Sequence, residues 1–180
     1  MSDHITISIR PLDSATVAVV NETNDAFPVI GYVLPQFING EWSYEEQLYD
    51  HPQSIRFPDD HLDWATYIHS ADRIVLLAFL DEACVGQIRL HRDWNRFAYI
   101  ENIAVRSDYR QHGIGQQLLE AAAQWAKDKQ LVGLSLEAQH DNVIACRFYA
   151  RHGFKLGGVD TLKQFANPHI DWTLYWYKVF

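Results

Sequence analysis

The chain of 180 residues has few cysteines, few basic side chains and no long apolar segment. Its two cysteines, Cys84 and Cys146, provide neither a disulfide framework nor the spacing of a metal site. No segment approaches the roughly 20 consecutive apolar residues that a membrane-spanning helix needs. The first residues, MSDHITISIR, lack the basic and then apolar pattern of a secretory signal. We therefore expect a cytoplasmic protein that does not enter a membrane.

Basic residues are outnumbered by acidic ones. With 15 Lys and Arg against 23 Asp and Glu, the net charge is −8, and a nucleic-acid partner is not expected because it would require a basic stripe. The balance suits a cationic small molecule, and it equally suits an acidic surface that only aids solubility. Nine histidines are scattered without paired spacing, so no metal site is predicted.

The hydrophobic pattern predicts a single α/β domain over residues 1–180. Alternation at Ile5, Ile7 and Ile9 predicts a strand, and a short helix follows to about Asn24. Residues 27–60, with several prolines and aromatics, are predicted to form a rigid loop or broken helical segment. The segment DDHLDWATYIHSAD then reads as a helix that Asp59 or Asp60 starts.

The rest of the chain alternates between strands and helices. Three strands are predicted first, two more helices and three further strands follow, and Cys146 lies on the second of these helices as a small buried hydrophobe. The segments are RIVLLAFL, CVGQIRLH and FAYIENIAV, a helix from Gly113 or Ile114 to about Lys129, GLSLEAQ, the helix NVIACRFYARH, FKLGGVD, and DWTLYWYKVF.

The segment VRSDYRQHGIGQQLLEAA joins a strand end to a helix start through Arg110, two glycines and exposed backbone. Glycines let backbone N–H groups point outward, and the helix dipole adds positive charge, so the loop could hold a pyrophosphate. It matches neither an ATP-type phosphate loop nor a dinucleotide fingerprint. A plain turn explains the same residues equally well.

A second segment, NVIACRFYARHGF, carries a matching set of signals. Asn142 is placed to cap a helix, and Gly153 is placed to end it. Tyr149 lies seven residues after Asn142, about two turns on and therefore on the same face. The alternative for Tyr149 is a half-buried aromatic side chain that packs on the sheet.

The two segments together resemble the GNAT acyltransferase superfamily, and the chain is most similar to the streptothricin acetyltransferases within it. The similarity includes FPVIGYVLPQF, EWSYEEQLY, RDWNRFAYIENIAV and FKLGGVDT. It implies a mixed, mostly antiparallel sheet of about seven strands with a splayed centre and about four flanking helices. It also implies acetyl-CoA as cosubstrate and direct transfer to an amine in a ternary complex.

The resemblance assigns roles to individual positions. Tyr149 would protonate the CoA thiolate or hydrogen-bond its sulfur. Glu101 and Glu137 are the candidates for proton transfer: we favour Glu137 as the base with Glu101 orienting the amine, and the alternative is that one of them only anchors a cationic substrate. The acetyl-CoA positions are Ile103, Ala104, Val105, Arg110, Gln111, His112, Gly113, Ile114, Gly115, Gln116 and Asn142.

The acceptor site is expected to be acidic and aromatic, because streptothricins carry a β-lysine chain with amino groups. The alternative for the segment PDDHLDW is a capped helix with a solvated first turn. The acceptor could also be a lysine side chain, a polyamine or a protein N-terminus, or the chain could bind CoA without catalysis. A homodimer through DWTLYWYKVF is possible, unless these aromatics fill the core. The residues predicted for the acceptor site are Trp94, Asp63, Asp160, Asp59, Asp60 and Glu41.

Overall fold

The computed structural model describes residues 6–180, so Ile5 of the predicted first strand lies outside the described residues. The chain forms two compact units, each built from two stretches of sequence. The first unit contains residues 6–26 and 56–133, and the second contains residues 27–55 and 134–180.

Residues 6–180 contain nine strands, two α-helices and three short 3-10 helices. The strands are β1 (Ile7–Pro11), β2 (Phe27–Ile38), β3 (Glu41–Ile55), β4 (Arg73–Leu80), β5 (Ala83–Arg92), β6 (Phe97–Val105), β7 (Gly133–Gln139), β8 (Lys155–Asp160) and β9 (Thr173–Val179). The α-helices are α1 (Ile114–Asp128) and α2 (Val143–Arg151), and the 3-10 helices are Val17–Thr23, Trp64–Thr66 and Ser107–Tyr109.

Seven strands, β1 and β4 to β9, form a mixed and mostly antiparallel sheet, as predicted. In the first unit the strand order is β1–β4–β5–β6, and every pair is antiparallel. In the second unit the order is β7–β9–β8, with β8 and β9 antiparallel. Strands β2 and β3 form a separate two-stranded sheet.

The prediction of about four flanking helices is wrong in the described part of the chain. The helices predicted after Ile114 and Asn142 are α-helices, but those predicted after Asp13 and after Asp59 are short 3-10 helices. These two sequences are rich in β-branched, aromatic and Asp residues, which favour turns and caps over long helices. No helix among residues 6–180 is long and apolar enough to cross a membrane.

The prediction of a rigid loop or broken helix over residues 27–60 is also wrong. Strands β2 and β3 form a long hairpin that turns at Asn39 and Gly40, whose φ angles are +54° and +83°. Two positive φ angles are typical of the tight type I′ turn that Asn-Gly favours. Pro28 and Pro35 fit because alternate amides of a ribbon point away from the partner strand and make no ladder bond.

The sheet of the first unit is covered on both faces. Gly86 of β5 faces α1, because an added Cβ would come within 3.2 Å of both Ile114 and Leu118. The next residue, Gln87, points to the other face, where its amide nitrogen donates to Val20 O and Thr23 Oγ1 at 2.8 Å each. A buried cluster fills this face and consists of Leu12, Val20, Tyr67, Val75, Leu77, Phe79 and Cys84.

The core of the second unit contains the apolar residues of β7, β9 and α2. Leu174 and Trp176 of β9 are buried, so these side chains fill the core of their own chain. Gly153, with φ of +84°, ends α2: its amide donates to Ala150 O, and the amide of Phe154 donates to Tyr149 O. This is the predicted glycine C-terminus, in the Schellman arrangement.

We predict that Gly31→Ala destabilises the second unit. An added Cβ at Gly31 would lie 2.1 Å from the carbonyl oxygen of Gln47, which is backbone and cannot move aside. We expect the free energy of unfolding to fall by about 1–3 kcal/mol in denaturant titrations. The control is Gly158→Ala, where the nearest atom to the added Cβ is 3.8 Å away. An unchanged unfolding midpoint for Gly31→Ala would contradict the register of the β2–β3 hairpin.

Candidate active site

A β-bulge in β6 positions Glu101. In the pairing of β5 with β6, Arg89 lies opposite Asn102 and Leu90 lies opposite Ile100, so Glu101 is the extra residue. A bulge of this kind re-aims a side chain and bends its strand. The irregularity thus falls on Glu101, one of the two residues predicted for proton transfer.

Both oxygens of the Glu101 carboxylate accept hydrogen bonds from residues of the first unit. Its Oε2 accepts from the Tyr67 hydroxyl at 2.6 Å and from Arg89 Nε at 2.7 Å, and its Oε1 bonds His91 Nδ1 at 2.6 Å. Arg89 also donates to Asp60 Oδ2 at 2.8 Å. We call Tyr67, Arg89, His91, Glu101 and Asp60 the Glu101 cluster.

The contacts within the Glu101 cluster stabilise the ionised form of Glu101 and the protonated form of Tyr67. Burial alone would raise the pKa of Glu101, but hydrogen bonds from Tyr67 and His91 and the charge of Arg89 hold that pKa below its usual range. Burial and the adjacent carboxylate raise the pKa of Tyr67 to about 12. At neutral pH the carboxylate is therefore ionised and the phenol is protonated.

The loop before α1 presents backbone amides without partners. Gly113 precedes the helix with φ of +78°, and Gln111 also has a positive φ of +66°. Within residues 6–180 no side chain caps this helix, and the amides of residues 111–116 donate no hydrogen bond. Such amides at a helix N-terminus form a ready site for an anion.

Arg110 fixes the start of this loop. Its Nε donates to Val105 O at 2.9 Å and its Nη1 donates to Ala26 O at 3.0 Å. His112 Nδ1 donates to Arg110 O at 2.8 Å. The Arg110 side chain therefore shapes the loop in addition to any charge that it offers to a phosphate.

The predicted pantetheine-binding backbone follows Glu101 along the same strand. Ile103 pairs with Ile88, and Val105 pairs with Gly86, so β5 covers one edge of this stretch of β6. Ala104 lies between them, opposite Gln87.

In the second unit, Asn142 immediately precedes α2 and Tyr149 lies within it. The Asn142 side chain accepts from the amide of Ala145 at 3.2 Å, which is the predicted N-cap. Tyr149 is buried against Phe148, Phe154 and Trp176. Burial raises the pKa of Tyr149 well above its usual value, so the phenol stays protonated at neutral pH.

Glu137 of β7 forms an ion pair with Lys163, which follows β8. The Lys163 ammonium also lies 5.3 Å from the centre of the Tyr175 ring. Asp160 accepts from the amides of Leu162 and Lys163 at 2.8 and 2.9 Å and so shapes the turn that carries the lysine.

Four of the five carboxylates predicted for the acceptor site, those of Asp59, Asp60, Asp63 and Asp160, have hydrogen-bond partners within residues 6–180. Asp59 accepts from Arg56 at 2.6 Å and from Asn24 at 2.8 Å, and Asp63 accepts from the amide of Ala65 at the start of Trp64–Thr66. The solvated-cap alternative thus describes Asp63, but not Asp59. Trp94, in the turn after β5, is 91% exposed, and Glu41 is exposed at the start of β3.

The predicted site residues divide between the two units. The first unit contains Glu101, Asp59, Asp60, Asp63, Trp94, Ile103, Ala104, Val105, Arg110, Gln111, His112, Gly113, Ile114, Gly115 and Gln116. The second contains Glu41, Glu137, Asn142, Tyr149 and Asp160.

Four residues that bind the two candidate acid–base residues have no counterpart among the sequence predictions. These are Tyr67, Arg89 and His91, which bind Glu101, and Lys163, which binds Glu137. The sequence pattern pointed to such residues only in β5. There Gln87, Arg89 and His91 alternate with apolar residues, so their polar side chains share one face of the strand.

The comparison with protein families decides the assignment. The model of the acetyltransferase (GNAT) family matches residues 34–154. This chain belongs to the acetyltransferase (GNAT) family. The predicted family, the acetyltransferase activity and acetyl-CoA as the cosubstrate are thereby confirmed.

Two relatives of this GNAT chain are similar over most of its length. It is 38% identical to streptothricin acetyltransferase A of Bacillus subtilis (strain 168) over 161 residues, which are 89% of this chain and 92% of that protein. The crystal structure of a proposed streptothricin acetyltransferase from Bacillus anthracis str. Ames, in complex with acetyl coenzyme A, superposes with a TM-score of 0.89. The two chains are 31% identical, with 97% of this chain and 99% of the other covered.

A third relative matches a shorter stretch. A streptothricin acetyltransferase from Escherichia coli is 42% identical over 102 residues, which are 56% of this chain and 59% of that protein. The similarity of this GNAT chain to the Bacillus subtilis protein therefore extends well beyond the stretch shared with the Escherichia coli protein.

We predict that Glu101→Gln lowers stability in a pH-dependent way. Removing one partner of a buried ion pair costs on the order of 3 kcal/mol. Because the folded-state pKa of Glu101 is lowered, its contribution is present above the unfolded value of about 4.3 and is lost as the pH falls through the folded value. The difference in free energy of unfolding between the wild type and Glu101→Gln should thus be constant above about pH 5 and shrink below it.

Chemical denaturation at several pH values measures this difference. Glu82→Gln, at an exposed position in the turn between β4 and β5, is the matched control and should show no such trend. A difference that does not change between about pH 3 and pH 7 would mean that Glu101 carries no special charge stabilisation.

Proposed function

We propose that this chain transfers the acetyl group of acetyl-CoA to an amino group of streptothricin, on its β-lysine moiety, and so inactivates the antibiotic. The observation that carries this proposal is the 38% identity to streptothricin acetyltransferase A over 89% of the chain. That similarity includes the N-terminal region, which is the part expected to shape the acceptor site in this superfamily.

The loop before α1 fits the pyrophosphate of the cosubstrate. The amides of residues 111–116 donate no hydrogen bond within the described residues, and they lie at the positive end of a 15-residue helix. An anion bound there would satisfy several donors at once and interact favourably with the helix dipole. From this loop, the pantetheine arm is proposed to follow the backbone of Ile103, Ala104 and Val105, and the Asn142 amide is proposed to bond the pantetheine or the thioester end.

The proposed reaction is a direct displacement. The amine nitrogen attacks the thioester carbon, a C–N bond forms, and the C–S bond breaks. The ammonium proton passes to a group of the chain, and the departing thiolate takes a proton or a hydrogen bond. Tyr149 suits the second task because its buried phenol stays protonated at neutral pH.

Proton removal from the amine is proposed to involve Glu101 and Glu137, with Glu137 favoured from the sequence. An alkylammonium has a pKa near about 10, so it must lose a proton before attack. Glu137 is bound by Lys163, an exposed lysine whose ion pair costs little to break. Glu101 is less available as a proton acceptor, because both of its oxygens accept hydrogen bonds within the first unit.

The acceptor is proposed to be drawn in by negative charge and bound against an aromatic face. Asp160 remains ionised at neutral pH because hydrogen bonds from the amides of Leu162 and Lys163 lower its pKa. Asp63 adds a further carboxylate, and Trp94 exposes a whole indole ring on which a cation could lie. Asp63 and Asp160 each accept their backbone-amide bonds at Oδ1, and each is proposed to attract the substrate cation through its carboxylate.

We predict that the protein releases CoA from acetyl-CoA faster with streptothricin than with other amines. The assay follows CoA release with streptothricin, spermidine, a lysine peptide and a peptide with a free N-terminus. Mass spectrometry should find one added acetyl group on streptothricin. Faster turnover with spermidine or a peptide would assign another acceptor, and the absence of turnover with every amine would indicate a CoA-binding protein without catalysis.

We predict that Tyr149→Phe lowers kcat by about 100-fold or more, in the range for loss of a general acid. The affinity for acetyl-CoA, measured by calorimetry, should hardly change because the substitution removes one hydroxyl group from a buried ring. Tyr49→Phe, on the exposed side of β3, is the control for loss of a phenol. An unchanged kcat for Tyr149→Phe would exclude the proposed role.

A further inference from the structure

The hydrogen bond between His91 and Glu101 fixes the tautomer of the imidazole. His91 Nδ1 lies 2.6 Å from Glu101 Oε1, and an ionised carboxylate can only accept. Nδ1 therefore carries a hydrogen, and in the neutral ring Nε2 is left as the acceptor. The His91 side chain is 32% exposed, so Nε2 belongs to a ring that solvent and a small molecule can reach.

Glu101 is a poor proton acceptor in comparison. Tyr67 and Arg89 bind Oε2, His91 binds Oε1, and the side chain is only 20% exposed. A proton on this carboxylate would break at least one of these bonds and leave the buried charge of Arg89 with Asp60 alone. The geometry is that of an anion that orients a base.

We propose that His91 is the general base of the acetyl transfer, and that Glu101 is a positioning residue that acts through it. This inference rests on the proposed acetyl transfer, and it assigns to His91 the proton removal that the sequence resemblance alone gives to Glu137 or Glu101. His91 Nε2 accepts the proton of the acceptor ammonium, the freed nitrogen lone pair attacks the thioester carbon, and the C–S electron pair leaves with the CoA sulfur. The imidazolium then forms an ion pair with Glu101.

The position along the strands suits this role. Glu101 lies two residues before Ile103, about 7 Å along β6, and Ile103 begins the backbone proposed to hold the pantetheine arm. Gln87, Arg89 and His91 share the face that Val17–Thr23 and Trp64–Thr66 cover, opposite α1. The His91 imidazole thus lies on the sheet face that the N-terminal part of the chain packs against.

The charged and titratable neighbours of His91 come from every element around it. Arg73 of β4 lies directly opposite His91 in the strand pairing, and Arg89 lies on the same strand. Tyr99 of β6 lies with its ring centre 5.2 Å from that of His91, and Tyr67 reaches Glu101 from beside Trp64–Thr66. The Glu101 carboxylate therefore lies where it can serve as the counter-ion of an imidazolium formed on His91.

The decisive variant is His91→Asn, whose amide can still donate to Glu101 from the place of Nδ1 but cannot take a proton. We expect kcat to fall by about 100-fold or more, acetyl-CoA affinity to stay within about twofold, and the ascending limb of the kcat pH profile to vanish. His91→Ala should regain part of its activity with added imidazole, which a merely structural role would not allow. His51→Asn, on the exposed face of β3, is the matched control.

The assay uses whichever amine the wild type acetylates fastest. The test of His91 therefore does not depend on whether streptothricin is the acceptor. A His91→Asn enzyme that keeps kcat within about threefold of the wild type and keeps the ascending limb would overturn the proposal. The proposal would also be overturned if Glu137→Gln, with His91 intact, removed the ascending limb of the kcat pH profile. A wild type that acetylates other amines but not streptothricin would overturn the proposed function and leave the His91 result standing.

Discussion

The ion pair between Glu101 and Arg89 is the constraint on which the first unit depends. A buried guanidinium is stable only with full compensation, and here two carboxylates supply it, one from the bulge of β6 and one from Asp60. Tyr67 and His91 complete the bonds of the Glu101 carboxylate. The bulge, the segment after residue 56 and the face of β5 are therefore fixed by one network.

The two α-helices differ in how their N-termini are capped: α2 has a side-chain cap, whereas α1 has none in the described part of the chain. At the start of α2 the side chain of Asn142 accepts from the amide of Ala145, so this helix has a side-chain cap from its own chain. Helix α1 starts after Gly113 without a side-chain cap, and within residues 6–180 the amides of residues 114–116 donate no hydrogen bond. A helix start left open in this way would be stabilised by an anion bound to its amides, as proposed for the pyrophosphate.

Local signals were sufficient for most regular elements. The limits of β4, β6 and β7 follow the sequence pattern, and α1 and α2 begin at the predicted residues, because periodicity and caps are encoded within a few positions. The hairpin of β2 and β3 shows the opposite case: Asn39–Gly40 was a readable turn signal that the surrounding prolines and aromatics obscured. The partners of Glu101 could not be predicted, because they depend on strand register and on a bulge that no local pattern announces.

The burial of both cysteines bears on how the reaction can be followed. Burial raises the pKa of Cys84 to about 11 and that of Cys146 to about 12, so neither side chain is a thiolate at neutral pH. These are the only two cysteines of the chain. A thiol-reactive dye added to the folded protein therefore finds both thiols of the chain buried, and the colour that develops during turnover reports the thiol of the coenzyme product.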